Sequence, residues 1–229
     1  MLDTTKVPAC IGVIMDGNRR WAIERNLPTL EGHRRGYGKF KELARWAKDA
    51  GVKTLIVYAL STENWNRSQE EVSYILNLFR TVLKEEIEEL VNDNVRIIFA
   101  GNLSRFPEDL QAMMREAEAN TKNNTAYTLV IAASYGGRAE IVDTMNRLLQ
   151  EGKSSVSEKE FSAHLWTKDV PDPDLIIRAG GEQRLSNFLP YQSVYSELYF
   201  SKTYWPDFSK EEFFEIIGNY QRCSRRMGI

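Results

Sequence analysis

The sequence predicts an α/β fold: a single domain, residues 1–229, with a mostly parallel central sheet of about six strands flanked by helices. Two observations carry this. Short apolar runs alternate with amphipathic segments of helical period along the whole chain. Polar clusters follow the apolar runs, and parallel sheets hold their ligands beyond the carboxyl ends of the strands.

The elements read in order. Residues 11–15 form a first strand, and residues 33–50 a helix with Phe40, Leu43, Ala44 and Ala47 on one side and Gly51 as its stop. Residues 54–59, rich in β-branched side chains, form a second strand. Ser68 and Glu71 have capping-box spacing, and a long helix follows with apolar residues from Val72 to Leu90. Residues 96–100 are a third strand, and Pro107 opens a helix carrying Leu110, Met113, Met114 and Ala117. Residues 128–133 are a fourth strand. Gly136-Gly137 leads into a helix with Ile141, Val142, Met145, Leu148 and Leu149 as its apolar positions. Residues 153–157 read as a surface loop within one domain. Residues 175–177 and 198–200 supply the last two strands, and Ser209 with Glu212 caps a final helix.

The bulk numbers narrow the function. The chain is 42% apolar and 27% charged with a net charge of −2, as a soluble globular protein is, and it lacks the basic excess of a general nucleic-acid binder. Its arginines concentrate in loop-like stretches, so a near-neutral sum is compatible with a locally positive cleft. Two cysteines cannot make a disulfide framework, and two histidines beside them argue against zinc. A strand-like run begins within about ten residues of the start, which suits no signal peptide, and no apolar run is long enough to span a bilayer. A cytoplasmic protein is the expectation.

Four polar clusters carry the chemistry. In Asp16-Gly17-Asn18-Arg19-Arg20-Trp21, an acid at the end of a strand can hold Mg²⁺ through oxygen, and guanidinium forks can grip phosphate. The same letters also suit a tight Asp-Gly turn entering a helix. A phosphatase with a nucleophilic Asp at this place wants a second Asp two residues on, where Asn18 stands. Glu31-Gly32-His33-Arg34-Arg35 sits at the expected start of a helix, where His33 either meets an anion or serves the structure. Ser61-Thr62-Glu63-Asn64-Trp65-Asn66-Arg67 packs hydroxyl, acid, amide and guanidinium into one loop, with Trp65 either shielding a site or plugging the core. In the segment from Arg178 to Phe188, two glycines admit an anion to the backbone while Arg178, Arg184 and Ser186 offer charge and hydrogen bonds. No Walker A pattern is present. The basic end around Arg222, Arg225 and Arg226 also suits a helix C-terminus.

Together these motifs resemble the cis-prenyltransferases, the undecaprenyl diphosphate synthase or isoprenyl transferase family. The likeness runs from Ile14-Met15-Asp16-Gly17-Asn18 through Gly32-His33, the segment from Ser61 to Arg67, Tyr135-Gly136-Gly137-Arg138 and Gly180-Gly181-Glu182-Gln183-Arg184-Leu185-Ser186-Asn187 to Ser196-Glu197-Leu198, Trp205-Pro206 and Arg226-Met227-Gly228. It implies condensation of isopentenyl diphosphate onto an allylic diphosphate, with new double bonds in cis, most simply to undecaprenyl diphosphate for cell-wall carrier synthesis. A short-chain synthase, a silent subunit of a heteromeric enzyme and an unrelated phosphate-ester hydrolase are the competing readings.

By that likeness Asp16 and Asn64 are the catalytic residues, and Mg²⁺ is held by Asp16 with Glu197 as a second contact. Gly17, Asn18, Arg19, Arg20, Trp21 and His33 belong to the allylic diphosphate side. Arg178, Arg184 and Ser186 hold the diphosphate of isopentenyl diphosphate, and Ser61, Glu63 and Arg67 complete the substrate set. A homodimer is implied, with Arg226 and Gly228 reaching the partner's site. So is an apolar product tunnel lined by residues 55–60, 127–133 and the helix after Ser68. No nucleic acid is expected, and the protein does not span the membrane, although its product enters one and loose membrane association for release follows.

The chain departs from the family pattern at several places. Cys10 stands where His is usual, Ala179 where Thr is usual, Ser134 for a common Asn, and Arg19 where many members have Gly. Thr29 replaces an Arg that in many bacterial members contacts the allylic diphosphate. Thr29→Arg is therefore expected to lower the KM for the allylic substrate in steady-state kinetics; an unchanged KM would show that position 29 is not part of that contact.

Overall fold

The computed structural model describes residues 6–223. Six strands make one sheet in the order β3-β4-β2-β1-β5-β6. They are β1 (Cys10–Ile14), β2 (Thr54–Ser61), β3 (Val95–Ala100), β4 (Tyr127–Tyr135), β5 (Leu175–Arg178) and β6 (Glu197–Phe200). The pairs β1–β2, β1–β5, β3–β4 and β5–β6 are parallel, with Ile11 opposite both Leu55 and Leu175 and Ile14 opposite Arg178. The helices are α1 (Asn18–Glu24), α2 (Thr29–Ala50), α3 (Gln69–Glu85), α4 (Ile87–Asn92), α5 (Glu108–Thr121), α6 (Gly137–Gln150), α7 (Glu158–Ser162) and α8 (Lys210–Arg222).

Two compact units divide the chain. The first holds residues 1–57, 172–185 and 192–229, and the second residues 58–171 and 186–191, so β2 passes from one into the other at Val57. In the first, Ile11, Leu55, Ile56 and Ile176 are stripped of water, as are Leu43 and Ala47 of α2 and Phe213, Ile216 and Ile217 of α8. Each large side chain so buried contributes about 1.5–3 kcal/mol. In the second, Leu60, Ile97 and Phe99 meet Ile75 and Leu83 of α3 and Leu110, Met114 and Ala117 of α5. Every residue of β1 and β5 is buried, which explains why these strands read as unbroken apolar runs.

The strand and helix types agree with the sequence, and the boundaries shift in instructive ways. α2 begins at Thr29 rather than 33, because Pro28 presets the backbone at its N-cap (φ −56°) and Glu31 suits the first turn. His33 therefore lies inside the helix and not at its start. α1 is short and opens on Asn-Arg-Arg, so hydrophobic period did not mark it as an element of its own. The expected long helix after Ser68 breaks at Glu86 (φ −106°) into α3 and α4. Its apolar period runs on unbroken, but Glu85, Glu86, Glu88 and Glu89 place like charges three and four residues apart. Strand β4 is longer than expected and takes in Ser134 and Tyr135. On α6, Val142 and Leu149, read as core positions, are exposed.

The capping signals split. Ser68 and Ser209 accept from the backbone N–H groups of Glu71 and Glu212. The glutamates do not reciprocate: Glu71 takes Arg67 at 2.6 Å, and Glu212 accepts from the Ser201 hydroxyl. Full capping boxes occur instead at Ser61/Asn64 and Ser157/Glu160. A groove of about 620 Å³ in the second unit is lined by Leu83, Ile87 and Val91 and by Met113 and Ala117, with Lys84, Glu88 and Glu116 among its polar residues. None of the predicted site residues lines it.

Helices α1 and α2 meet through glycine. A Cβ at Gly32 would stand 2.1 Å from the Asn18 carbonyl oxygen, and one at Gly36 2.3 Å from Asn18 Oδ1. Gly38, on the same helix, has open space around it. Gly32→Ala is expected to cost about 1–3 kcal/mol by pushing α1 away, whereas Gly38→Ala should add about 0.5–1 kcal/mol of helix stability. Denaturant unfolding of the two variants checks the opposite signs.

Candidate active site

The sheet order itself selects a place. From β1 the chain leaves toward β2, and from β5 it leaves toward β6 on the other side, so the crevice beyond β1 and β5 is a topological switch point. Asp16 lies two residues past the end of β1, and Arg178 ends β5 directly opposite Ile14. The Asp16 carboxylate takes the Arg178 guanidinium at 2.8 Å and Arg20 at 3.3 Å. Its other oxygen accepts from the Gly17 N–H at 2.6 Å. Arg178 has a side chain only 5% exposed, and it also donates to the Arg184 carbonyl. Glu182 then lies between two more guanidinium groups, with Arg20 at 3.4 Å and Arg184 at 2.5 Å. Three arginines and two carboxylates thus share one edge of the first unit.

The turns that permit this need glycine. Gly17 has φ 100° and caps α1, and Gly180 has φ 91° with its Cα against the Asp16 backbone, where a Cβ would stand 3.0 Å from the Asp16 carbonyl carbon. Trp205 N–H donates to the Asp16 carbonyl at 3.0 Å, and Gly180 N–H to the Thr203 carbonyl at 2.8 Å. The segment after β6 therefore buttresses both glycine turns.

The second unit carries the other predicted loop. Ser61 and Asn64 cap each other reciprocally, with Asn64 Oδ1 accepting from the Ser61 N–H at 3.0 Å. Glu63 accepts from Asn187 Nδ2 at 2.9 Å. Burial works against the Glu63 carboxylate, but hydrogen bonds from Asn187, the loop backbone, Ser61 and Thr62 outweigh it and hold its pKa below the usual range. Asn187 in turn accepts from the N–H groups of Gly137 (2.8 Å) and Arg138 (2.9 Å). Ser186 and Asn187 have φ 49° and 68°, left-handed backbone in residues other than glycine. Gly136 and Gly137 admit this close packing, since a Cβ at Gly137 would meet Pro190 at 2.0 Å.

Several predicted site residues have other work. Trp21 is buried, and its indole N–H donates to Asp207 at 2.7 Å, so it pins α1 and offers no donor to a ligand. Asn18 packs against α2 and donates to the Met15 carbonyl at 3.1 Å, while its buried Oδ1 has no hydrogen-bond partner. Trp65, half-buried, packs against the core edge-on to Phe106 and donates to Ser134 Oγ at 2.9 Å. Arg67 pairs with buried Glu71. Arg19 is exposed, and His33 is half-buried in the second turn of α2. Cys10 is a core residue: burial, then the charges of Asp174 and Asp172, push its thiol far up, so it stays protonated. Arg226 and Gly228 lie outside the described residues.

Glu197 is a correction. It opens β6 in register with Leu175, which pairs with Ile11 at the start of β1. Asp16 lies past the other end of β1, more than three residue steps of about 3.3 Å away along the strands. One chain cannot bring both carboxylates to one ion. Two residues outside the expected set join these clusters, Glu182 and Asn187. The Gly-Gly-Glu and Ser-Asn-Phe letters were present, but a carboxylate among arginines and an amide beside a hydroxyl gave no signal of their own.

Asp16 is the carboxylate partner of a buried guanidinium, so replacing it disturbs the fold as well as the site. The alanine variant is expected to lose about 1–3 kcal/mol of stability because Arg178 is left without that acceptor. Asp16→Asn, which keeps an oxygen there, should lose less. Urea titration of both without ligand checks this, and parent-like stability of Asp16→Ala would remove the pair's structural role.

Comparisons with known proteins give the family. The family model described as putative undecaprenyl diphosphate synthase matches residues 14–228. The isoprenyl transferase of Fusobacterium nucleatum is 45% identical over 222 residues, covering 97% of this chain and 96% of that protein. The isoprenyl transferase of Thermotoga maritima is 43% identical, covering 97% of each. Among solved structures, lavandulyl diphosphate synthase from Lavandula x intermedia, in complex with dimethylallyl diphosphate, superposes with a TM-score of 0.92 at 33% identity, covering 98% of this chain and 100% of that one. A probable undecaprenyl diphosphate synthase from Campylobacter jejuni gives 0.81 at 31% identity, covering 97% and 99%. A chain matched over nearly its whole length by both family model and relatives belongs to that family: it is a cis-prenyltransferase of the isoprenyl transferase, or undecaprenyl diphosphate synthase, group.

Proposed function

We propose that the protein condenses isopentenyl diphosphate onto farnesyl diphosphate to build a long cis-polyprenyl diphosphate, of undecaprenyl length, for the cell-wall lipid carrier. The observation that carries this is the cluster of Arg20, Arg178 and Arg184 around Asp16 and Glu182 at the β1/β5 switch point. Two diphosphates need such a concentration of guanidinium forks. Arg20, with the backbone N–H groups after Asp16, takes the allylic diphosphate. Arg178, Arg184 and Ser186 take that of isopentenyl diphosphate. Asn64 and Arg67 orient the reacting ends, and holding the two substrates in line supplies much of the acceleration.

The donor set suits magnesium. Mg²⁺ binds hard oxygens and typically uses one or two carboxylates with substrate phosphates and water. Asp16 offers a carboxylate 31% exposed, and the described residues hold no cage of three or more His, Cys, Asp or Glu. Asp16 would hold the ion, which when bound offsets the charge leaving with diphosphate. The Arg20 guanidinium faces the same developing charge, and the Asp16–Arg178 pair fixes the carboxylate beforehand.

A homodimer fits the apolar side chains left exposed, Val142 and Leu149 on α6 and Val194 and Tyr195 before β6. A product tunnel fits the partly buried apolar face of α3, at Leu76 and Phe79. No helix among the described residues is long and apolar enough to cross a membrane.

One observation favours a second reading, a short-chain synthase: the 0.92 likeness to a lavandulyl diphosphate synthase crystallised with dimethylallyl diphosphate. Incubation with labelled isopentenyl diphosphate, Mg²⁺ and either farnesyl or dimethylallyl diphosphate, read by chromatography, separates the two. The long-chain reading expects a ladder ending near eleven isoprene units from farnesyl diphosphate, and no incorporation after chelation by EDTA. A product that stops after one or two additions would replace it with the short-chain reading.

A further inference from the structure

Tyr204 lies outside every motif discussed so far, yet it touches the Asp16 turn at two points. A Cβ on Gly17 would stand 2.7 Å from Tyr204 Cδ1, so the turn rests directly on the tyrosine. The Arg20 guanidinium carbon lies over the same ring, 5.3 Å from its centroid. A Cβ on Gly180 would stand 2.9 Å from Arg20 Nη2. The guanidinium thus has both an aromatic ring and a glycine backbone as close neighbours.

The ring is itself held. Its hydroxyl donates to Glu24 at 2.6 Å, and the neighbouring Trp205 N–H donates to the Asp16 carbonyl at 3.0 Å. The carboxylates near Arg20 hold it less firmly. Asp16 and Glu182 stand at 3.3 and 3.4 Å from a side chain 40% exposed. Ion pairs of that length and exposure are weak and screened by salt. A cation over a ring face is held without using its in-plane N–H groups, which stay available to phosphate oxygens.

We propose that Tyr204 is a positioning residue for the allylic diphosphate: its ring holds the Arg20 guanidinium in place while Asp16 and Glu182 give way to the ligand. The proposal rests on the reading that Arg20 belongs to the allylic subsite. It predicts that the ring face carries the effect, with the hydroxyl only helping to brace the ring.

Affinity for a non-reactive farnesyl thiodiphosphate is measured by calorimetry without isopentenyl diphosphate, beside the KM for each substrate. Tyr204→Phe should stay within about twofold of the parent. Tyr204→Leu should weaken allylic binding about 3- to 30-fold and leave the isopentenyl diphosphate KM unchanged. Pentafluorophenylalanine at 204 keeps the ring's shape and inverts the charge of its face, so it should weaken binding comparably even if the leucine variant folds poorly. In an Arg20→Ala background, none of these changes should matter further. Parent-like allylic binding by the leucine or fluorinated variant overturns the proposal. So does a parallel rise in both KM values, or an effect that persists without Arg20. Arg20→Ala serves as the control for the subsite itself. Parent-like binding by that variant overturns the subsite reading and the proposal with it, whereas a loss in Arg20→Ala beside an intact Tyr204→Leu overturns the proposal alone.

Discussion

Arg178 is withdrawn from water at the end of a strand buried along its whole length, and a guanidinium in that position needs an acceptor within reach. Asp16 supplies it at 2.8 Å. Much of the local structure follows from this pair. β1 and β5 must be neighbours in parallel register for Ile14 and Arg178 to face each other. Gly17 and Gly180 must adopt left-handed turns to bring the two chains so close. The segment after β6 must return to brace those turns through Trp205 and Thr203. A carboxylate held this way is aimed in advance, and so are the guanidinium groups around it. Preorganised charge of this kind is what a reaction shedding diphosphate needs.

The same arrangement explains why charge alone did not reveal the site. Each arginine of the first unit's cluster has an acidic partner, and the local sum is close to balanced. The acidic groups keep the like charges of the arginines from repelling one another.

Small residues do as much as charged ones. Gly32 and Gly36 let α1 lie against α2, and Gly136 and Gly137 let the β4–α6 turn lie against Thr62, Asn187 and Pro190. These glycines stand inside the motifs that resemble a ligand-binding signature. Added Cβ atoms there would meet protein atoms, so these glycines let the polar side chains converge.

The sequence by itself determined the α/β class, six strands in their right places, the parallel sheet implied by their alternation with helices, and the clusters that follow β1, β2 and β5. These are properties of local pattern: period, capping letters and the position of polar residues after apolar runs. Only the tertiary structure decided which members of those clusters meet. It put Trp21 on Asp207, Trp65 against the core and Asn64 in a cap. It separated Glu197 from Asp16 along the sheet, and it brought Glu182, Asn187 and Tyr204 to the loops they serve. The reason is physical. A residue's type and spacing limit what it can bond, but strand register and helix packing choose its partner from groups far away in the chain.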